Sequence, residues 1–232
     1  MKDLVLLVGG RGTRLGSLTK KTPKCLIEIQ NKPFLYYLFK KFEKENIKNI
    51  FLCSKYKSTL IKNFLETHNF KRLNIKIFND GKEFHGTGGS IKKILKYLND
   101  DFFVQNGDTF LNLNYEKIIK KDDYEKSIIC YSKFKYNTLN IPNLLIDNNK
   151  ILNYDKIDFA KNNSIDAGLY LFKKKHFNEI NLSKFDLSIF IKKLIKKQKL
   201  KGYRIERKFY EIGSLKGLAD FSKYINNNHK LF

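Results

Sequence analysis

No apolar run in this 232-residue chain approaches the roughly 20 residues that a membrane-spanning helix needs, so none is expected. The N-terminal apolar stretch, Leu4 to Val8, is short and leads into a glycine-rich loop rather than a cleavage site. It reads as a strand, not a signal peptide, and a cytoplasmic location is expected. Cysteine is sparse: Cys25, Cys53 and Cys130 are scattered, and no pair has metal-ligand or redox spacing. Three reduced, buried thiols are expected. Arginine is also scarce, supplying five of the 46 basic residues. A net charge of +23 would ordinarily point to nucleic acid. Here the charge is nearly all lysine, in runs such as 173–175 and 192–193, amid abundant Asn and Ile. Such lysines read as solvated helix faces of a chain from an AT-rich genome. No arginine-rich patch with interleaved aromatics is present, so no nucleic-acid partner is expected. The positive field still favours an acidic small molecule.

What is present starts with that strand and its loop, Gly9-Gly10-Arg11-Gly12-Thr13-Arg14-Leu15, followed by Pro23-Lys24. Glycines let a backbone approach a phosphate closely. Consecutive amides cradle the anion while Arg and Lys neutralise it. The combination points to a polyphosphate. It is not a Walker-type loop, because no Gly-Lys is followed by a hydroxyl residue. Nor is it a dinucleotide fingerprint: Gly10, Gly12 and Gly16 are spaced one residue too wide, and residues 17–23 lack helical periodicity.

With 42% hydrophobic residues, 20 Phe and 13 Tyr, the chain can fill the core of one large domain. Strands are expected near 3–8, 49–53, 74–79 and 102–106, alternating with helices from Pro33, near 58–67 and near 89–98. Phe34, Leu35, Leu38, Phe39 and Phe42 form a helical stripe. This alternation predicts an α/β fold with a doubly wound, mostly parallel, Rossmann-like sheet and helices on both faces. Such sheets bind ligands at the carboxyl ends of their strands. The 9–14 loop, the 80–90 loop and Gly107-Asp108 all follow strands and should therefore converge. The second half is less regular, with strands near 127–134, 151–154 and 165–172. Helices follow near 186–196 and 214–226, capped by Asp186 and Ser214. The polar tail 226–230 is expected to fray. One domain over 1–232 is expected, in two halves, 1–115 and 116–232.

The glycine-rich loop and Pro23-Lys24 resemble the signature of the sugar-phosphate nucleotidyltransferases. The resemblance continues in Gly86-Thr87-Gly88-Gly89-Ser90, Asn106-Gly107-Asp108-Thr109, Asp166-Ala167-Gly168-Leu169-Tyr170 and Tyr210-Glu211-Ile212-Gly213-Ser214. It covers nearly the whole chain and is greatest for the D-glycero-D-manno-heptose 1-phosphate guanylyltransferases. It implies a GT-A-like nucleotidyltransferase fold with a small mixed acceptor-binding part, in which 1–115 is the nucleotide-binding half and 116–232 the sugar-phosphate-binding half.

The implied reaction is attack of a sugar 1-phosphate on the α-phosphorus of a nucleoside triphosphate, releasing pyrophosphate. The nucleophile is already ionised near neutral pH, because a phosphate monoester has a second pKa of about 6. No general base is needed, so His85 reads as a loop histidine. Positioning and electrostatics do most of the catalysis. The resemblance implies nucleotide contacts from Val8, Gly9, Gly10, Arg11, Gly12 and Thr13, with Arg11 the weaker candidate. Further nucleotide contacts are expected from Gly86, Thr87 and Gly88 near the base and from Asn106 near the ribose. Arg14 is expected on the β- and γ-phosphates, and its planar fork suits that role. Lys24 is expected beside the α-phosphate. Asp108 is the expected Mg²⁺ ligand, joined by Glu211 where the family usually has Asp. Lys156 is the candidate for the sugar phosphate. Gly107, Asp166, Ala167 and Gly168 are expected at the sugar, with Asp166 standing where the family usually has an Asn that can also donate. The leading expectation is GDP-D-glycero-D-manno-heptose synthesis for a surface polysaccharide such as capsule. Transfer of another nucleotide to another phosphate, or a non-catalytic nucleotide-sensing subunit, stays open. So does a homodimer.

Overall fold

Leu4, Val5 and Leu6 are fully buried in the first strand, as a strand covered on both faces requires. The computed structural model describes residues 2–45, 47–81, 83, 85–122, 124–133, 140–155 and 160–228. The first half runs β1 (Lys2–Leu7), α1 (Leu18–Lys21), β2 (Glu28–Ile29), β3 (Lys32–Pro33), α2 (Phe34–Glu43), β4 (Ile47–Ser54), α3 (Ser58–Thr67) and β5 (Asn74–Asn79). It continues with α4 (Gly86–Ile94), β6 (Asp101–Asn106), β7 (Thr109–Leu111) and α5 (Glu116–Ile119). The second half contains β8 (Ser127–Lys133), β9 (Leu144–Asp147), β10 (Lys150–Tyr154), β11 (Ser164–Lys173) and α6 (Lys174–Asn178). It ends with α7 (Leu187–Lys196), β12 (Leu200–Ile205), β13 (Phe209–Glu211) and α8 (Leu215–Asn227).

One nine-stranded sheet organises the molecule. Its first part is parallel: β6, β1, β4 and β5 lie side by side. Strand β11 then pairs antiparallel with β6 and with β8, and β12 adds to β8 in parallel. The β9–β10 hairpin completes the sheet, turning through Asn148 and Asn149 at φ 44° and 63°. Both φ values are positive, as the tight hairpin turn demands, and Asn tolerates them. The result is the expected α/β architecture, with antiparallel pairing concentrated in the second half.

The period-two alternation of β1 divides the core. Leu4 and Leu6 face a cluster with Phe34, Phe39 and Phe42 of α2, Phe64 of α3 and Phe221 of α8. Val5 faces the other cluster, with Ile91 of α4 and Phe190, Ile191 and Leu194 of α7. Helices therefore cover both faces.

Several boundaries differ from the expectation. Helix α4 begins at Gly86, not 89, because Gly86 takes φ +71° and turns the chain into the helix at once. Pro33 is the N-cap of α2 rather than its first residue. Ser214 caps α8 as expected, accepting from the Gly217 amide. Asp186 holds the N-cap position of α7 as expected, but its side chain makes no capping bond; the Leu187 amide donates instead to Thr87 Oγ1 at 2.8 Å. The expected strand end at Phe134 and tail residues 229–230 lie outside the described residues. No described helix is long and apolar enough to cross a membrane.

Candidate active site

The carboxyl ends of β1 and β6 stand side by side, since Leu7 pairs with Asn106. Gly107 follows in close contact, its amide donating to the Leu7 carbonyl at 2.9 Å. A Cβ on Gly107 would sit 2.7 Å from that oxygen, so only glycine allows the two loops to lie this close. Gly12, at φ +66°, folds the first loop back over Thr19 and Lys24. Thr19 Oγ1 donates to the Gly12 carbonyl at 3.0 Å and fixes that fold.

These loops enclose a cavity of about 450 Å³. Val8, Gly9, Gly10, Gly12, Thr13 and Arg14 line one wall. Gly86, Thr87, Asn106, Gly107, Asp108, Lys24 and Gly213 also line the cavity. The convergence expected of the three strand-end loops is therefore present.

Within the cavity Lys24 is ion-paired with Asp108. A Cβ on Gly213 would lie 3.1 Å from both Arg14 Nη2 and Lys24 Nζ, so the loop after β13 packs on both cations. Strand β13 pairs with β7 as a short antiparallel ribbon, Glu211 opposite Thr109. The Ile212 amide donates to the Asp108 carbonyl at 3.0 Å, extending that ribbon. Asp108 and Glu211 are thereby brought to one end of it. Burial, then the charges of Asp108 and Asp166, push the Glu211 carboxyl above the usual carboxylate range; Lys24 and an Asn140 hydrogen bond oppose this. Two neighbouring oxygen donors of like charge fit Mg²⁺, which takes one or two carboxylates and completes its octahedron with phosphate and water.

The turn that carries Asp108 is anchored from below. Gln105 is fully buried and donates through Nε2 to the Thr109 carbonyl at 2.8 Å. Its other end accepts from the Tyr115 hydroxyl.

Not every candidate faces the cavity. Arg11 is exposed and absent from the lining. Gly88 turns away from it: a Cβ there would meet Cδ2 of Phe185 at 2.5 Å. Its role is close packing against the segment before α7, which leaves Gly86 and Thr87 on the cavity side. Asp166 and Ala167 are buried. Asp166 Oδ2 accepts from the Tyr154 and Tyr170 hydroxyls at 3.1 and 2.5 Å, and Oδ1 from the Gly168 amide at 2.8 Å. Its carboxylate is thus occupied by acceptor bonds an Asn could make only in part. Gly168 approaches the Asn106 side chain. Lys156 lies outside the described residues.

Sequence reasoning missed Asp80, Ser90 and Lys55, which also line the cavity. Ser90 Oγ donates to the Asp80 carboxylate. The signal for Asp80 was its place directly after β5. Cys25 and Cys53 line the cavity too, and all three thiols are buried and free. Burial pushes the Cys25 thiol up to about 12 and that of Cys53 higher still, so neither is a nucleophile at neutral pH.

A family model described as nucleotidyl transferase matches residues 4–140. Over 229 residues the chain is 31% identical to a D-glycero-alpha-D-manno-heptose 1-phosphate guanylyltransferase of Campylobacter jejuni, covering 97% of this chain and 99% of that one. It is 33% identical to the bifunctional protein GlmU of Methanocaldococcus jannaschii over 96% of this chain, which spans only 54% of that protein. The crystal structure of HddC from Yersinia pseudotuberculosis complexed with GMP-PN aligns with a TM-score of 0.84 at 27% identity, covering 97% of this chain and 100% of that one. With a cationic glycine loop facing a carboxylate pair at the strand ends, and these relatives along its length, the chain belongs to the nucleotidyl transferase family as a sugar-phosphate nucleotidyltransferase.

Proposed function

We propose that this enzyme transfers GMP from GTP to D-glycero-D-manno-heptose 1-phosphate, releasing pyrophosphate and forming GDP-heptose for surface polysaccharide. The observation that carries the reaction is the meeting of Arg14, Lys24, Asp108 and the Gly213 loop in one cavity, with Glu211 at the adjoining end of the β7–β13 ribbon. Full-length similarity to the Campylobacter guanylyltransferase supports the choice of heptose.

The amides of Gly9 to Thr13 cradle the triphosphate. Arg14 neutralises charge on the departing pyrophosphate, where a donor is worth most because the transition state carries more charge there than the ground state. Lys24 exchanges its Asp108 partner for the α-phosphate when nucleotide arrives. Asp108 and Glu211 would hold Mg²⁺, which would supply positive charge and lower the repulsion between the two anionic substrates. Asp80 supports guanine as the base: a carboxylate accepts from two adjacent donors, and guanine offers N1–H and N2–H on one edge. Residues 116–232 form the acceptor half, with Lys156 on the sugar phosphate and Gly168 beside Asn106 near the sugar.

Pyrophosphate release measured with five nucleoside triphosphates crossed against a panel of sugar 1-phosphates tests this reading. Turnover with GTP and the heptose 1-phosphate, abolished by Asp108→Ala, is expected. Turnover with another pair would replace the substrates, and none at all with nucleotide still bound would favour a sensing subunit.

A further inference from the structure

A second cavity, of about 880 Å³, lies beside β12, β7 and β13 and shares no lining residue with the nucleotide cavity. Seven of its eighteen lining residues are Lys or Arg, against one acidic residue, Glu206. That is about twice the basic fraction of the whole chain, 46 of 232. Two of the seven are already satisfied: Lys41 by Glu45 and Lys208 by Asp220. Arg204, Arg207, Lys117 and Lys121 are exposed and make no ion pair among the described residues.

The arginines separate this cleft from the chain's ordinary lysine-rich surface. Only five exist, at 11, 14, 72, 204 and 207. Two lie in the phosphate loop and two line this cleft. Where lysine serves almost every other cationic position, arginine marks places where a planar, five-donor fork differs from a point charge. Paired phosphate oxygens are its complement. The volume is in the range of small-molecule sites. Strand β12 pairs with β8, and its residues 201–205 line the cleft.

We propose that this cleft is a second polyphosphate site, in which Arg204 and Arg207 grip a diphosphate while Lys117 and Lys121 neutralise it. The cleft is tied to the reaction centre by one short ribbon. Leu111 and Phe209, paired at one end, line the cleft; Asp108 and Glu211 stand at the other. The diphosphate is either free pyrophosphate or that of a nucleotide sugar.

Equilibrium dialysis with radiolabelled pyrophosphate, without divalent metal, tests the proposal. Wild type is expected to bind two equivalents, and R204Q/R207Q one, with the same melting temperature. Each arginine lost is expected to weaken the cleft site at least about tenfold. The R14Q variant is expected to keep the cleft site, and R204K/R207K to keep it more weakly because lysine lacks the fork. Displacement by GDP-mannose in R14Q would assign the site to nucleotide sugars; displacement by unlabelled pyrophosphate alone would assign it to the free anion. A single wild-type equivalent lost in R14Q, or a second one that survives R204Q/R207Q, would overturn the proposal. None of these outcomes depends on GTP or heptose being the substrate.

Discussion

Lys24 and Asp108, 84 residues apart in sequence, form an ion pair in the nucleotide cavity. Both side chains are largely shielded, at 12% and 29% exposure, so the pair is less screened than a surface one. It holds Lys24 and the carboxylate proposed as a metal ligand in place. Lys24→Met is expected to lower kcat/KM by about 100-fold or more, the loss typical of one transition-state donor. Asp108→Asn should cost at least as much. The double variant should be little worse than either, because groups that act as a unit are not additive. Steady-state pyrophosphate release by all three variants checks this.

Glu211 provides the metal prediction. Its position opposite Thr109 and beside the Ile212–Asp108 bond fixes it near Asp108. Glu211→Gln removes one charge without changing length. Activity should then need about tenfold more Mg²⁺, with the melting temperature of the metal-free protein unchanged or raised, since a carboxylate partly buried near Asp108 and Asp166 is relieved. A Mg²⁺ titration of activity together with thermal melts separates the two effects. An unchanged Mg²⁺ midpoint would remove Glu211 from the ligand set.

The parallel half of the sheet and its three cavity-lining loops were legible because buried strands and amphipathic helices leave strong periodic signals. Strand β12 and the β7–β13 ribbon were not. Lys201, Arg204 and Gly202 break any apolar run in β12, and β7 and β13 have three residues each, too few for a period. In the site, motif spacing located Arg14, Lys24 and Asp108. It could not tell Gly88 from Gly86: both pack on Phe185, Gly86 against its backbone and Gly88 against its ring, yet only Gly86 lines the cavity, and that depends on a segment about 100 residues away. Asp166 reads as a ligand in sequence, yet two tyrosine hydroxyls claim its carboxylate.

The glycines divide into two kinds that substitution can separate. A Cβ on Gly88 would press into the buried Phe185 ring, so Gly88→Ala should destabilise by about 1–3 kcal/mol, as overpacking does. Gly10 has nothing within 4 Å of where an added Cβ would stand, so Gly10→Ala should leave the melting temperature unchanged. Its cost should appear instead in nucleotide affinity, where the methyl meets the triphosphate. Melting curves and a nucleotide titration on both variants give opposite patterns.

The buried Tyr115–Gln105–Thr109 chain should matter more than its distance from the cavity suggests. Tyr115→Phe leaves the Gln105 carbonyl buried without its donor, at a cost of about 1–3 kcal/mol. The Asp108 turn would then be less firmly held, so kcat should fall more than KM rises. Denaturant unfolding and steady-state kinetics on the one variant measure both.

His176 gives the protein a stability that fades in mild acid. It is 1% exposed, with Nδ1 2.9 Å from Ser127 Oγ. Burial lowers its pKa from the ordinary value; Lys199 and Lys175 act in the same direction, and Glu179 opposes them. The folded state therefore resists protonation that the unfolded chain accepts. Stability from the neutral ring is fully present above the unfolded-state pKa of about 6.5 and is lost as pH falls from there through the lower folded value. His176→Gln removes the titration while keeping a polar side chain. Wild type should lose more melting temperature than the variant between about pH 7.5 and 5, the window that brackets the unfolded-state value. Parallel slopes for the two proteins across that window would rule out His176 as the source.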